Sequence, residues 1–427
     1  MWSELLSRKA RSLAASVAAQ AMPGALMTGV NRLAEAVRQR GGQPLILEFP
    51  DGRELDFGEP ARVRLRLRDA RALAALATPS MDALGEAFVD GIIDVDGDIA
   101  EAIVIADALA EAGGIAVDER GAMRAARHSR TQDRAAVQFH YDVGNAFYRL
   151  WLDERMVYSC GYFREGDEDI DTAQRDKLDH VCRKLRLSPG ERLLDVGCGW
   201  GGLVLHAARE YGVQAVGITL AQEQLAWARA RIAAEGLADR VEVHAYDYRE
   251  LLRHFGPASF DKVASIGMFE HVGLRNLPLY FGAVGAVLRD RGLFLNHGIT
   301  AADVESRPIG SGVGEFIGRH VFPHGELPHL HVAVREGSAQ GFEVVDVESL
   351  RPHYALTLQH WSQRLEGQLA AAAQLIDARR LRIWRVYLAG CAHGFRRGWM
   401  NIYQVLLSRQ ATPGPTGLPL TRDWIYR

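Results

Sequence analysis

Apolar positions along the chain follow two regimes. Between residues 44 and 69 they alternate with polar ones. PLILEFPDGRELDF (44–57) sets two alternating runs around Pro50-Asp51-Gly52, residues suited to a turn, and predicts a β-hairpin. RVRLRLRD (62–69) alternates strictly, with Val63, Leu65 and Leu67 facing in and arginines facing out, and predicts a third strand. From Ala70 to about Ala112 the spacing is helical, interrupted near Pro79 and at the acidic stretch Asp94–Asp98, which reads as a turn. This predicts a small α+β domain with no catalytic spacing in it. The polar, basic linker GAMRAARHSRTQDRAA follows, and the boundary is drawn there, giving domains 1–125 and 126–427.

The second regime alternates whole elements. Arg192–Val196, QAVGIT (214–219), VEVHAYD (241–247), FDKVASIGM (260–268) and GLFLNHGIT (292–300) read as strands, separated by helical stretches. That order predicts a doubly wound parallel sheet. Such sheets bind ligands beyond the carboxyl ends of their strands, so the positions to inspect are Asp195, Thr219, Asp247, Glu270 and His297. Residues 301–342 read as an irregular insertion, EVVDVESL (343–350) as a late strand, and the remainder as a largely helical tail with a Pro/Gly-rich end.

The turn after the first of these strands is the strongest local signal. ERLLDVGCGWGGLVL runs strand, glycines, helix. Its spacing, Asp195-x-Gly197-x-Gly199-x-Gly201, differs from the G-x-G-x-x-G of dinucleotide folds. It resembles motif one of S-adenosylmethionine (AdoMet) methyltransferases, where the turn receives the amino-acid end of the cofactor. Upstream, QFHYDVGNAFYRLWLDERMVYSCGYF interleaves aromatic and polar residues, as a pocket wall does.

Composition narrows the class. With 427 residues the chain has room for two or three domains. A net charge of −3 argues against a bulk polyanion partner such as nucleic acid. The four cysteines, at 160, 182, 198 and 391, are widely spaced, which argues against a zinc site or a disulfide framework and for a reducing cytosol. Cys182 and Cys198 read as packing residues. No apolar run is long enough to span a bilayer. The stretch SLAASVAAQAM behind Lys9 and Arg11 is too weakly apolar for a signal peptide. Residues 1–40, basic and carrying Trp2, Leu5 and Leu6, read equally as a segment resting on an anionic membrane and as an ordinary surface helix.

Eight ordered segments then define a resemblance. FHYDVGNAFY, MVYSCGYF, LLDVGCGWGGL, GITLAQEQ, YDYREL, MFEHVG, HVFPHGELP and LRPHYALTLQHW, spread over roughly 138–410, are similar to the cyclopropane-fatty-acyl-phospholipid synthases and their mycolic-acid relatives. The resemblance implies a class I AdoMet-methyltransferase fold, Rossmann-like, behind a smaller N-terminal α+β domain like that of the phospholipid-acting members. It implies AdoMet contacts at Tyr158, Ser159, Asp195, Gly197, Gly199, Gly201, Thr219, Leu220, Gln224, Asp247 and Tyr248, with Gln224 on the ribose. It implies methyl transfer to a cis double bond in an acyl chain of a membrane phospholipid, then loss of a proton so that a cyclopropane ring closes. In this family a bound bicarbonate is thought to be the base. The matching positions are Cys160, Glu270, His297, Ile299 and Tyr354, with Cys160 and Ile299 contributing mainly backbone N–H, and Cys391 in support.

Singly, each of these has a plain alternative: Glu270 as a helix-terminal acid, His297 as a satisfied strand-end histidine, Tyr354 as core. No metal is implied. A cytoplasmic protein at the inner face of the membrane is the implied setting, and a homodimer the assembly the resemblance suggests. The departures are Gly298, where the family usually has a hydroxyl residue and which is expected to loosen the strand end, and His324, where glycine is common. Two other outcomes stay open: methylation without ring closure, giving a methyl- or methylene-branched chain, and a catalytically silent lipid- or AdoMet-binding protein.

Overall fold

The computed structural model describes residues 30, 31, 33, 35, 45–57, 62–112, 143–310, 312–323 and 325–426. The basic segment 1–40 lies almost wholly outside these residues, as do the linker, His140 to Asp142 and His324. The chain divides into two compact units. One is formed by residues up to Ala122 with Ile309–Val321 and Ile376–His393, the other by Met123–Pro308, Phe322–Leu375 and Gly394–Arg427.

In the first unit the alternating runs form strands β1 (Leu45–Glu48), β2 (Glu54–Asp56) and β3 (Val63–Leu67). β1 pairs antiparallel with β2, as the hairpin reading expects, and parallel with β3. The acidic stretch is a strand, not a turn: β4 (Ile93–Gly97) pairs antiparallel with β3. The reason lies in the outward arginines of β3. Arg66 meets Asp96 at 2.5 Å and Arg68 meets Asp94 at 2.5 Å, so the acids are cross-strand partners. The helical stretch is broken where Ser80, after Pro79, caps Met81–Val89 by accepting the Ala83 N–H. Leu45, Leu47, Val63, Leu65 and Leu67 pack with helical residues such as Phe88, Ile103 and Leu109 into one core.

The second unit holds a seven-stranded sheet in the order β10-β11-β9-β8-β5-β6-β7. β5 (Arg192–Val196), β6 (Gln214–Ile218), β7 (Val241–His244), β8 (Phe260–Ile266) and β9 (Leu288–Ala301) are parallel. The order reverses between β5 and β8, a topological switch point that opens a crevice at their carboxyl ends. Two elements differ from the sequence-based expectation. The insertion holds two helices, Val313–His320 and Leu330–Ala339. The tail is not wholly helical. After Ala378–Arg397 the chain turns at Gly398 and forms β11 (Met400–Arg409), inserted antiparallel between β9 and β10 (Phe342–Ser349).

Candidate active site

The crevice is lined from the ends of β5, β6, β7 and β8, one loop and the helix Ile170–Lys184. Asp195 ends β5 and leads into Gly197–Gly199; Thr219, Leu220 and Gln224 follow β6; Met268 and His271 follow β8; Met156 to Ser159 close the side. Gly197 has φ +86°, and a Cβ there would stand 2.9 Å from Met268. The turn therefore needs glycine for both conformation and space. Gly201 is the residue before the helix Gly202–Tyr211 and does not line the cavity.

The loop is held by Asp153, which accepts the backbone N–H of Arg155 (3.0 Å) and Val157 (2.7 Å). These bonds support Met156 in the left-handed region at φ +59°. Behind the loop lies an aromatic cluster. Tyr158 stands 5.6 Å from Tyr148 and 5.2 Å from Trp361, and Tyr148 stands 5.1 Å from Trp200 (ring centroids). Asn145 accepts the Trp200 indole N–H at 2.7 Å.

Of the positions implied for AdoMet, Tyr158, Ser159, Asp195, Gly197, Gly199, Thr219, Leu220, Gln224 and Tyr248 line this one cavity. Thr219 donates to the Gln224 side-chain carbonyl at 2.8 Å, fixing its orientation. Asp247 is not among the lining residues. Its carboxylate receives two bonds of 2.7 Å from the Arg249 guanidinium, and Arg249 itself faces the cavity. Asp195 is buried, and burial pushes its carboxyl up to about 7 against the opposing pull of Lys177.

The positions implied for the base form two clusters joined through β11. Glu270 sits in a short 3-10 turn after β8 and accepts the Ile299 N–H at 2.7 Å. That N–H thus fixes Glu270 and is not open to a further anion. Burial raises the Glu270 carboxyl to about 7, and its Oε2 has no hydrogen-bond partner. His297, two residues before Ile299 and so on the same face of β9, has Nδ1 3.4 Å from the Gln404 amide nitrogen and no partner at Nε2. Burial and the neighbouring cations Lys177, Lys184 and His180 hold it far below its usual range, so it is neutral. With the amide donating to Nδ1, Nε2 carries the proton.

Ile299 pairs with Ile402 of β11, whose carbonyl accepts the Leu350 N–H. Leu350 opens the helix Arg351–Glu366 that carries Tyr354, and its carbonyl lies 3.8 Å from Cys160 Sγ. Burial raises the Cys160 thiol strongly, which rules out a thiolate. Tyr354 packs against Phe395 at 4.7 Å and Trp361 at 6.1 Å. Cys391 belongs to the other unit, where it is buried and its thiol is pushed up to about 12.

Gly298 does not loosen the strand end. A Cβ there would fall 2.0 Å from the Phe269 ring, so the missing side chain is the space that ring occupies.

Sequence reasoning missed several neighbours. Gln404 is fully buried against His297 but lies on the unrecognised strand. Glu326 accepts the Leu274 N–H at 2.8 Å and steadies the loop after Glu270. Gln174 and Lys177 are polar residues at core-facing positions of the helix Ile170–Lys184, and that mismatch with the apolar spacing of Ile170, Ala173, Leu178 and Val181 was the available signal.

A glycine turn, a switch-point cavity and buried acid groups on a seven-stranded sheet define an AdoMet-dependent methyltransferase of class I. Residues 128–405 match the mycolic acid cyclopropane synthetase family, and residues 33–113 match DUF7884, a domain of unknown function. The chain belongs to the mycolic acid cyclopropane synthetase family. It is 52% identical to a probable fatty acid methyltransferase of Pseudomonas putida, over 90% of this chain and 96% of that one. It is 37% identical to the cyclopropane-fatty-acyl-phospholipid synthase of Escherichia coli K12, over 64% of this chain and 68% of that one. Among solved structures, the mycolic acid cyclopropane synthase CmaA1 complexed with SAH and CTAB aligns with TM-score 0.60 at 34% identity, covering 65% of this chain and 98% of that one. MmaA2 of Mycobacterium tuberculosis aligns with TM-score 0.61 at 31% identity, with coverage of 65% and 98%.

Among the described residues no helix is long and apolar enough to cross a membrane, and no group of three or more His, Cys, Asp or Glu is placed to hold a metal ion.

Proposed function

We propose that the protein forms cyclopropane rings on cis-unsaturated acyl chains of membrane phospholipids, working from the cytoplasmic face. The carrying observation is the pair of orphaned buried atoms, Glu270 Oε2 and His297 Nε2, on residues linked through Ile299. One is an acceptor and the other a donor. A hydrogencarbonate ion has the complementary set, acceptor oxygens and one O–H, and that match of donors and acceptors supports the reading. Bound there, it would supply the base for the proton lost on ring closure.

The protein's own share is positioning and exclusion. Glu270 and His297 would orient the ion, with Glu270 fixed by the Ile299 N–H and His297 by Gln404. A buried thiol, and a histidine whose Nδ1 lone pair receives the Gln404 amide N–H, are poor competitors for a methyl group. The ring of Tyr158 lines the cavity with Trp361 and, beyond it, Tyr354 packed in turn behind it, and an aromatic ring there is suited to positive charge developing on an acyl chain.

The name of the Pseudomonas putida relative favours a second reading, transfer of a methyl group without ring closure. The two are separated by incubating the protein with AdoMet, bicarbonate and vesicles of a cis-monounsaturated phospholipid, then weighing and fragmenting the acyl chains. A gain of one CH₂ on chains that resist mild hydrogenation and fragment as cyclopropanes supports ring closure. The same gain on chains that still hydrogenate supports a methylene branch.

For the base site, Glu270→Gln is expected to cut turnover by about 100-fold or more while the AdoMet dissociation constant stays within about three-fold. Tyr354→Phe is expected to act in the same direction with a smaller loss. Parallel loss of turnover and AdoMet affinity in a calorimetric titration would sink the base-site assignment.

A further inference from the structure

The active-site crevice takes up the carboxyl ends of the strands. A second cleft opens at their amino ends, and the reaction chemistry does not use it. Its walls are the end of the helix Ile170–Lys184, the connection from there to β5, the start of β8 and the C-terminal turn Asp423–Tyr426. Two guanidinium groups and one ammonium line it, on Arg183, Arg186 and Lys262. Glu191 is the only carboxylate among the described residues that line it. This local excess of positive charge stands in a chain whose net charge is −3.

The three cations are not equally engaged. Arg183 is ion-paired with Asp179 and donates to the Ile425 carbonyl at 3.2 Å, so it serves as structure. Lys262 has Glu191 at 3.5 Å, but that carboxylate also accepts the Ser188 N–H at 2.9 Å. Asp261, beside Lys262 in β8, alternates to the other face, where it accepts the Arg192 N–H at 2.8 Å and pairs with Arg289. Arg186 donates to the Gly417 carbonyl at 3.1 Å and lies over the Trp424 ring; among the described residues no carboxylate is within ion-pair distance of it. Burial draws Lys262 below its ordinary range; Glu191 opposes the fall and Arg186 adds to it. The two cations therefore repel each other across the cleft.

Arg186 also stands where a glycine is favoured. The helix closes with the Leu187 N–H on the Cys182 carbonyl at 3.1 Å and the Arg186 N–H on the Arg183 carbonyl at 2.7 Å. That pair of bonds puts the residue between them in the left-handed region, and Arg186 is there at φ +51°. A Cβ makes that conformation costly, where glycine adopts it freely. Stability is given up at this position, and what stands there instead is a guanidinium facing a second cation. Backbone strain and unmatched charge on one residue, both on the wall of a cleft, point to a ligand.

We propose that Arg186 and Lys262 form a binding site for a small, soluble, phosphate-bearing anion, at the end of the sheet opposite the active-site crevice. The guanidinium offers a planar fork to two phosphate oxygens, and the ammonium a further contact that also ends its repulsion with Arg186. Arg186 is tethered to Gly417, and Arg183 to Ile425. A bound anion would thus fasten the Pro/Gly-rich C-terminal segment to the helix whose middle lines the crevice.

The test titrates the full chain with inorganic pyrophosphate in a calorimeter at fixed ionic strength. The wild-type protein is expected to bind with a dissociation constant below about 1 mM, and Arg186→Gly and Lys262→Met each to weaken binding about ten-fold or more. Arg186→Gly is the sharper variant. Glycine relieves the positive φ, so its unfolding temperature is expected to be no lower than that of wild type, and a loss of binding there is not a loss of fold. The AdoMet dissociation constant is expected to stay within about two-fold of wild type in both variants. Absence of pyrophosphate binding by the wild-type protein would overturn the proposal. So would unchanged affinity in Arg186→Gly, or a loss of AdoMet affinity in step with the loss of pyrophosphate. Flotation with vesicles of phosphatidylglycerol, against phosphatidylcholine, separates the other source of phosphate. Binding to the anionic vesicles that Arg186→Gly abolishes, in a protein that ignores pyrophosphate, would replace the soluble ligand with a membrane surface and overturn the proposal as stated.

Discussion

One helix, Ile170–Lys184, carries two buried lysines that have met opposite fates. Lys184 reaches Asp346 at 3.1 Å and Glu348 at 2.5 Å on β10, with Arg422 on Asp346 and His180 on Glu348 completing the group. Two turns back, Lys177 has one hydroxyl for company. The carboxylates report the same contrast. Burial opposes ionisation of Glu348, but His180 and Lys184 outweigh it and hold the group at about 2. Asp195 and Glu270 have no such cations bonded to them and are both pushed to about 7. Paired charge at one end fastens the helix to the sheet. Unpaired charge at its middle is what a ligand can act on.

The largest expected effect that sharpens this contrast is on stability. Lys184→Met leaves two carboxylates short of a cation. Unfolding free energy should fall by about 3 kcal/mol, the lower end for a broken buried pair because Arg422 and His180 remain, with AdoMet affinity unchanged. Denaturant melts and a binding titration read the two quantities side by side.

A second contrast is in pH. Glu348 is lowered on folding, so its contribution is complete above the unfolded value near 4.5 and is lost as pH falls toward 2. Glu270 is raised on folding, so its contribution is complete below about 4.5 and is lost as pH rises to about 7. Glu348→Gln should flatten the acid limb of a stability profile, and Glu270→Gln the limb between about 4.5 and 7. Interchanged effects would contradict the assignment.

The smallest effect, and the one most able to break the comparison, is the stability of Lys177→Met without ligand. Removing an unpaired buried ammonium should raise unfolding free energy by about 1 kcal/mol, the opposite sign from Lys184→Met. A loss similar to that of Lys184→Met would mean that the two lysines do the same work.

The legible part of the fold was whatever repeats with a fixed period. β5 to β9 and their helices follow from apolar spacing and glycine placement, and with them the strand ends where the cavity lies. β4 was not legible, because Asp94 and Asp96 look like turn residues until the arginines of β3 are seen opposite them. β11 was hidden behind a 20-residue helix whose aromatic and basic character runs on without a visible break until Gly398. Gln404 was lost with it. Lys177 and Lys184 are indistinguishable in the sequence, since both are lysines on one amphipathic helix. Only the presence of Asp346 and Glu348 near one of them separates their roles, and those partners lie more than 150 residues away along the chain.

The insertion of β11 between β9 and β10 also sets a schedule for synthesis. Until Met400–Arg409 has been made, β9 has a bare edge, β10 has nothing to pair with, and His297 lacks its Gln404. A chain emerging from the ribosome therefore carries an exposed, apolar strand edge from the completion of β9 at Ala301 until Met400–Arg409 is made, a template for wrong pairing. Messages truncated before codon 400 should yield aggregating, inactive protein even though every motif that marks the family has already been translated.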